Sequence, residues 1–510
     1  MGAVMIPTGP LAKPARPAIA MAGWALMPVA LILLAMARPV DHDESQYVAA
    51  AVLAWGKLPY RDFAYLQTPL QPLLFAPIAA LAGALAYPAL RLTNALLGAA
   101  TIAAVYAAAR EGGAPARVAY ACAGLVATCD IFLFSISVAR NDALPAAMLA
   151  GACWLVLRTA NGKGSRRVAM ATGLLLACAA AAKISYAVPA AAYGVYALVD
   201  RNHRPVALAL GAAPLVALVG WLWSIAPGAF WFEVIEFPAR APIDWYAGSA
   251  NAAKLSILRK LLDTLKFLAL GPALLALWAV VRHGAREGAG QRVSRAHALD
   301  LLIVAGLLAA LLPMPTWRQY LLPFLPPLFI RLSIAWHARS PGSAQRVVAI
   351  ILACGGIAPS LESLVLAARN GLPMAGAARE TTAIAAALDS AGITGPIATL
   401  SPQFVPATGR PIDPRFATGP FFYRSRALLD STQARRWQMI GSDAALPIIP
   451  PPAALLIGGE DHWSSGNAAI DAALRRHPPF DRWRRLPTAS SRFRLYAPPS
   501  AQRTAFIRLP

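Results

Sequence analysis

The sequence predicts an all-α polytopic membrane bundle of about eleven transmembrane helices, followed by a small α/β domain outside the bilayer. Composition is the first reason. Of 510 residues 58% are hydrophobic and only 14% charged, with a mean hydropathy of +0.53, whereas a soluble surface needs about 25% charged residues. Clustering is the second. The apolar residues come in blocks close to the roughly 20 that a helix needs to cross the hydrocarbon, and a cleaved leader would account for only one of them. Charge placement is the third. Much of the net charge of +22 sits in short gaps between apolar blocks, such as Arg158–Lys163–Arg166–Arg167 and Arg201–His203–Arg204, which is the positive-inside pattern.

A basic arm with Lys13 and Arg16 occupies residues 1–17, and the transmembrane domain is expected over 18–367. The first span runs from Ala18 to Ala37. Further spans are expected at roughly 89–109, 118–136, 143–158, 168–183, 184–199, 206–226, 263–281, 298–313, 319–336 and 347–367. Residues 69–87 are apolar enough to cross, but a crossing there would turn five basic loops outward. They are therefore read as juxtamembrane, within an outer-face loop 39–88. The same parity puts the turn at Arg140–Asp142, the loop 227–262, the turn at Met314–Tyr320 and everything after 368 on the outer face. From 368 to 510 short apolar runs (ITGPIATL, PAALLIGG, RFRLYAP) alternate with helical stretches such as TTAIAAALDSAG, which predicts a small soluble α/β domain.

Charges near a bilayer are costly, so those placed there are candidates for chemistry. Asp41, Asp43 and Glu44 put three carboxylates within four positions just past the first span. They are either loop charges that end a span or a general base for an acceptor hydroxyl or amine. Asp142 is expected on the same face, as a helix N-cap or a second acidic site residue, with Arg140 beside it. Lys183 and Arg318 are lone cations at span ends, either snorkelling or binding a phosphate. The loop 227–262 brings Trp231, Glu233, Glu236, Asp244, Trp245 and Tyr246, as interface aromatics or a sugar-binding set.

Other chemistries have little support. Phosphate-cradling glycine loops, dinucleotide turns and nucleophile-elbow serines are missing from the sequence. The seven histidines are scattered, the five cysteines lie in apolar segments, and no metal-ligand spacing stands out. Neither a cofactor nor a metal is expected. The arginines have a topological explanation, so no nucleic-acid partner is expected either.

The ordered set of motifs resembles the integral-membrane glycosyltransferases of the C-type (GT-C) fold. In particular it resembles glycosyltransferase family 39, with its protein O-mannosyltransferases and bacterial aminoarabinose transferases. The matching residues are DESQYVAAAVLAWGKLPYRDF, an Asp-Glu-x-x-Tyr box and a Gly-x-x-Pro-Tyr turn. They continue with TPLQPLL, RLTNALLG, ARNDAL, Lys183 and RQYLLPFLPPL, over residues 20–340. The resemblance implies an inverting transfer of a sugar from a polyprenyl-phosphate donor to an unidentified acceptor, a lipid, glycan or protein. The expected location is the outer face of a bacterial inner membrane, with site and C-terminal domain periplasmic. By this resemblance Asp43 is the general base with Glu44 beside it, and Asp142 is the second acidic position. Lys183, Arg318 and Tyr320 hold the donor phosphate, and Tyr47, Tyr60, Arg140 and Glu233 are further substrate contacts. Asp41 competes with Asp43 as base. A transporter or flippase of a lipid-linked substrate is the main rival reading, and a polysaccharide polymerase or ligase another. Transporters often show inverted repeats or helices broken at the midplane, and polymerases one large outer loop; neither is evident in the sequence.

Overall fold

The computed structural model describes residues 17–249, 251–287, 296–443 and 448–499. The basic arm at Lys13 and Arg16, and part of the basic loop 282–295, lie outside the described residues.

Helix α1 (Pro17–Ala37) leads into α2 (Glu44–Leu53) and α3 (Leu70–Ala82). A tight turn at Gly83, whose φ of +54° suits a residue without a side chain, starts α4 (Ala86–Glu111). Next come α5 (Ala116–Val126), α6 (Asp130–Ile136), α7 (Ala143–Arg158), α8 (Arg166–Ala182), α9 (Ala187–Val199) and α10 (Pro205–Ile225). Short α11 (Pro227–Trp231) and α12 (Phe237–Ala247) precede α13 (Ile257–Ala269), α14 (Ala273–Glu287), α15 (His297–Leu311), α16 (Leu325–Ala338) and α17 (Ser343–Asn370).

Among the described residues, five helical segments are long and apolar enough to cross a membrane, or seven if each of two bent pairs is one span. Three shorter apolar helices, Gly23–Ala37, Ile184–Val199 and His297–Leu311, accompany them. Helices occupy the expected positions, although the one at 168–183, α8, is not among these apolar segments, and two of the expected spans are broken. α5 and α6 meet at 70°, α13 and α14 at 93°. The two breaks touch. Asp130 N donates to Leu270 O at 3.0 Å, and a Cβ on Gly271 would lie 2.7 Å from Cys129 Cα. Gly271 has a φ of +127°, so only glycine fits the backbone and the space there. Gly356 of α17 closes on the same spot, where a Cβ would lie 2.1 Å from Thr128 O. The breaks leave Asp130 at the start of α6, facing inward.

Elsewhere the bundle packs through small residues, as helices in lipid do. α8 and α10 approach so closely that a Cβ on Gly173 would sit 2.0 Å from Leu208 O, and one on Gly211 1.9 Å from Met170 O. α4 packs on α1 and α7, and α16 packs on α5 and α14. Residues 69–87, expected as a juxtamembrane helix, form α3 and the turn into α4. α3 packs against α2 and α4.

The C-terminal segment starts with α18 (Pro373–Ser390) and adds α19 (Pro420–Arg424), α20 (Ser431–Arg436) and α21 (Ala468–Arg476). Its strands are β1 (Ile397–Ala398), β2 (Ala454–Ile457), β3 (Arg484–Leu486) and β4 (Arg494–Ala497), in the order β1-β2-β4-β3. β1 and β2 are parallel and the other pairs antiparallel, with Leu455 opposite Tyr496 and Leu486 opposite Leu495. The three short apolar runs read from the sequence hold β1, β2 and β4. Buried Leu455, Leu456 and Leu495 pack the sheet against its helices. One apolar cluster joins this segment to α2–α4 through Phe404, Val405, Ile384 and Tyr87.

Candidate functional site

A cavity of about 1040 Å³ opens where the C-terminal segment meets the bundle. Its lining includes Asp41, Asp43, Arg140, Asp130, Arg318 and Arg424. The volume is at the upper end of the range for small-molecule sites, about 300–1,000 Å³.

Asp41, His42 and Asp43 lie in the turn between α1 and α2. Asp43 accepts from Arg140 Nη1 and lies 3.3 Å from His42 Nε2. The Asp43 backbone N donates to Asp41 Oδ1 at 2.9 Å, so the two carboxylates share one turn. Arg140 comes from the turn before α7. It reaches Asp142 Oδ2 at 3.4 Å and Asp41 Oδ2 at 3.9 Å. One guanidinium thus faces all three aspartates, with the Tyr47 ring 6.0 Å away. Burial would raise the Asp43 carboxyl, but Arg140, then His42 and Arg424, hold it below the usual carboxylate range. Asp41 goes the other way: burial first, and the Asp43 charge second, push it up to about 6.

Behind this pair Asp142 accepts from Lys183 at the end of α8. Asp142 makes no side-chain cap to α7. Lys183 Nζ lies 5.5 Å from the centre of the Tyr320 ring. Tyr320 and Arg318 line the cavity, while Lys183 and Asp142 sit just behind its wall. Arg318 Nη1 pairs with Asp130 Oδ2 at 3.0 Å, and the guanidinium carbon lies 3.5 Å from the Phe134 ring centre.

Four of the residues expected from the sequence play other parts. Glu44 is fully buried and does not line the cavity. Arg91 Nε donates to its Oε1 at 2.8 Å and Ala139 N at 2.5 Å, and Tyr87 OH binds its Oε2. Glu44 therefore ties α2 to α4 and to the turn carrying Arg140. Tyr60 holds a tight turn at φ +68°, its hydroxyl donating to Gln67 O at 2.6 Å. Glu233 is buried and accepts from Tyr65 N at 2.6 Å, with burial pushing its carboxyl well above the ordinary range. Neither Tyr60 nor Glu233 lines the cavity. Lys183 is committed to Asp142.

Several lining residues were not singled out from the sequence. Arg38 ends α1 and donates to Ser137 Oγ at 3.0 Å and Ser360 Oγ at 3.2 Å. Asp130 became visible only with the helix break. Lys254 lies 4.7 Å from the Trp317 ring centre and 5.1 Å from that of Tyr246. Arg424, from α19, lies 5.2 Å from the Trp245 ring centre, and its buried Nε has no hydrogen-bond partner. Single arginines in a basic sequence carry no signal that would mark them.

Among the described residues, Asp41, His42 and Asp43 are the group whose ligand atoms lie close enough for a metal, within 4.8 Å of one another. The Arg140 guanidinium already occupies Asp43 and faces Asp41, so a metal ion placed there would meet a fixed positive charge. The trio fits an ion-pair network better than a metal centre.

Residues 65–315 match the model of glycosyltransferase family 87. The structure is similar to ArnT from Cupriavidus metallidurans bound to undecaprenyl phosphate. The TM-score is 0.61 at 15% identity, covering 96% of this chain and 99% of that one. This chain has the ArnT-like GT-C fold. The apo state of the same ArnT gives a TM-score of 0.61 at 15% identity, over 94% of this chain and 99% of that one. The apo Archaeoglobus fulgidus oligosaccharyltransferase gives 0.50 at 12% identity, over 92% of this chain and 74% of that one. No curated protein matches the sequence. The family match and the GT-C fold together support a multi-pass membrane glycosyltransferase. The family that matches is 87, where the motifs had pointed to 39; the fold class is common to both readings.

Proposed function

We propose that the chain transfers a sugar from a polyprenyl-phosphate donor to an acceptor, on the outer face of a bacterial inner membrane, with inversion. One observation carries the reading: a single cavity is lined both by a carboxylate pair and by cations besides the one that pairs with it. The pair is Asp41 with Asp43; the cations are Arg38 and Arg318. A transfer of this kind needs both. The acceptor oxygen forms its bond to the anomeric carbon as the bond from that carbon to the phosphate oxygen breaks. The acceptor proton passes to a carboxylate, and the negative charge gathered on the phosphate needs donors preplaced for it.

Arg318, Arg38 and Tyr320 are placed to take the phosphate, and the apolar wall of Phe134, Phe267, Leu270 and Leu366 could take the first prenyl units. The undecaprenyl phosphate bound by ArnT, a protein of the same fold, supports a lipid phosphate here. Asp43 is the base in this reading. Asp41 is the second candidate, because its proton affinity, raised to about 6, suits base catalysis near neutral pH better than that of Asp43. Asp142 and Lys183 act from behind, holding Arg140 and Tyr320 in place. The C-terminal segment brings Arg424 to the cavity beside Trp245 and Tyr246 of α12, and these three would meet the acceptor.

The test uses purified protein with extracted polyprenyl-phosphate sugars and an acceptor-containing membrane extract, following free polyprenyl phosphate by mass spectrometry. Turnover by wild type and none by Asp43→Asn is the expected result. Loss in Asp41→Asn with Asp43→Asn still active would move the base to Asp41. No release by wild type from any lipid-phosphate sugar would overturn the transferase reading in favour of transport.

A further inference from the structure

The catalytic turn is held from outside the bundle. His42 N donates to Ser464 O at 2.8 Å, and His42 Nδ1 meets Glu460 Oε2 at 3.1 Å. Glu460 and Ser464 belong to the C-terminal segment, just after β2, more than 400 residues along the chain from His42. The other imidazole nitrogen, Nε2, faces Asp43 Oδ1 at 3.3 Å. Glu460 is completely buried, and its Oε1 has no hydrogen-bond partner. The loop packs closely on this carboxylate: a Cβ on Gly466 would lie 2.7 Å from Glu460 Oε2. Ser464 Oγ donates back to Gly459 O at 2.5 Å, which closes the loop on itself.

We infer that Glu460 is a positioning residue for the proposed transfer, holding the His42 ring as an imidazolium against Asp43 and so completing the site from the C-terminal segment. This inference rests on the transferase reading for its consequence, though not for its geometry.

With carboxylates at both nitrogens, only the doubly protonated ring can donate in both directions. The three carboxylates around the ring all act in that sense. Asp41 and Asp43 approach from its own turn and Glu460 from the loop after β2, while α19 presents the Phe421 ring, 5.8 Å away, and carries Arg424, whose charge acts on Asp43 and Glu460. Burial alone would lower the pKa, but the hydrogen bond to Glu460 and the charges of Asp43 and Asp41 outweigh it and bring it to about 9. Asp43 in turn faces His42, Arg140 from the turn before α7, and Arg424 from α19. Glu460 is faced by Asp471 of α21 and by Arg424. The imidazolium is one of three cations that keep Asp43 ionised, and the C-terminal segment orients it through Glu460 while supplying Arg424 directly. A carboxylate held ionised in a buried site is ready to take the acceptor proton as the glycosidic bond forms, and the fixed Nε2–H keeps one of its oxygens turned away from the acceptor.

Two readouts test this on the full-length protein in lipid nanodiscs. The first is the His42 titration, from NMR of ring-labelled histidine assigned by loss of a signal in His42→Gln. In wild type the ring should stay protonated through pH 8. In Glu460→Gln its pKa should fall by at least about one unit, and Glu460→Asp should restore part of the difference. The second is the pH profile of polyprenyl-phosphate release. Turnover that depends on the imidazolium is lost as the ring deprotonates, so the alkaline limb in Glu460→Gln should move to lower pH by the same shift as the His42 titration. Turnover in the variant should fall towards about a tenth of wild type above pH 8, with little change in KM for the donor. A wild-type His42 that titrates near the ordinary 6.5 would overturn the inference without any variant, as would identical titrations in wild type and Glu460→Gln. So would turnover abolished by chelation and restored by a divalent cation alone, since the trio would then be ligands. Absence of turnover in wild type would sink the transferase reading, and the titration would still decide the role of Glu460.

Discussion

Arg140 holds together carboxylates that the chain supplies from two separate turns. Removing its charge while keeping its approximate length, as in Arg140→Gln, leaves Asp43 and Asp142 facing each other across a buried gap. The Asp43 pKa should then rise from below its ordinary range to above it. We expect turnover at pH 7 to fall about 100-fold or more and to recover partly at higher pH, measured as a pH–rate profile. Glu44 gives the contrast. Both it and Arg91 have no exposed side-chain surface, and removing one partner of such a pair strands the other charge. Glu44→Gln should cost about 3–5 kcal/mol, seen as a lowered unfolding midpoint. Asp43→Asn, in a partly open cavity, should lose turnover with little change in that midpoint. The Asp-Glu-x-x-Tyr box therefore divides its labour between neighbours, and nothing in the sequence could say which carboxylate faces in. Successive residues at a helix start point in different directions, and the direction is set by α4 and by the turn carrying Ala139.

At the level of elements, glycines decide where helices cross and where they break. Gly173 and Gly211 let α8 and α10 touch backbone to backbone, so Gly211→Val should destabilise the bundle by about 1–3 kcal/mol through overpacking alone. The thermal inactivation of detergent-solubilised protein would show it; an unchanged profile would mean that the two helices can separate at no cost. The breaks at Thr128–Cys129 and Gly271–Pro272 lie within apolar runs that hydropathy reads as single spans. The sequence showed the runs, 118–136 and 263–281, because apolar length is a local property. It did not show the bends, because these are fixed by two broken helices meeting each other and α17. For the same reason Asp130 escaped notice: in an unbroken span it is one costly charge, whereas at the bend it becomes the partner of Arg318.

For the whole molecule, the join between bundle and C-terminal segment carries a titrating group. The His42 pKa lies at about 9 against an ordinary 6.5. A base whose folded pKa is raised binds its proton more tightly in the folded state. Its contribution is therefore complete below pH 6.5 and is lost as pH rises through 9. Thermal midpoints should fall across that window in wild type, and His42→Gln should flatten that part of the curve. A wild-type midpoint that is level from pH 6 to 10 would show that the join does not depend on the imidazolium.

By itself the sequence determined the class of protein, the positions of nearly all the apolar helices and the runs that became β1, β2 and β4. These follow from hydropathy and periodicity, which each stretch of chain carries locally. It also marked Asp43, Asp142, Arg140, Lys183 and Arg318, because a charge beside a bilayer is expensive and stands out against an apolar background. The tertiary structure alone decided which of these share a cavity, that Glu44 faces Arg91, and that Asp142 and Lys183 stand behind the wall. It also brought Arg38, Arg424 and Glu460 to the site. Those three are ordinary charged residues far apart in the chain, and their meaning comes from the distances that folding closes.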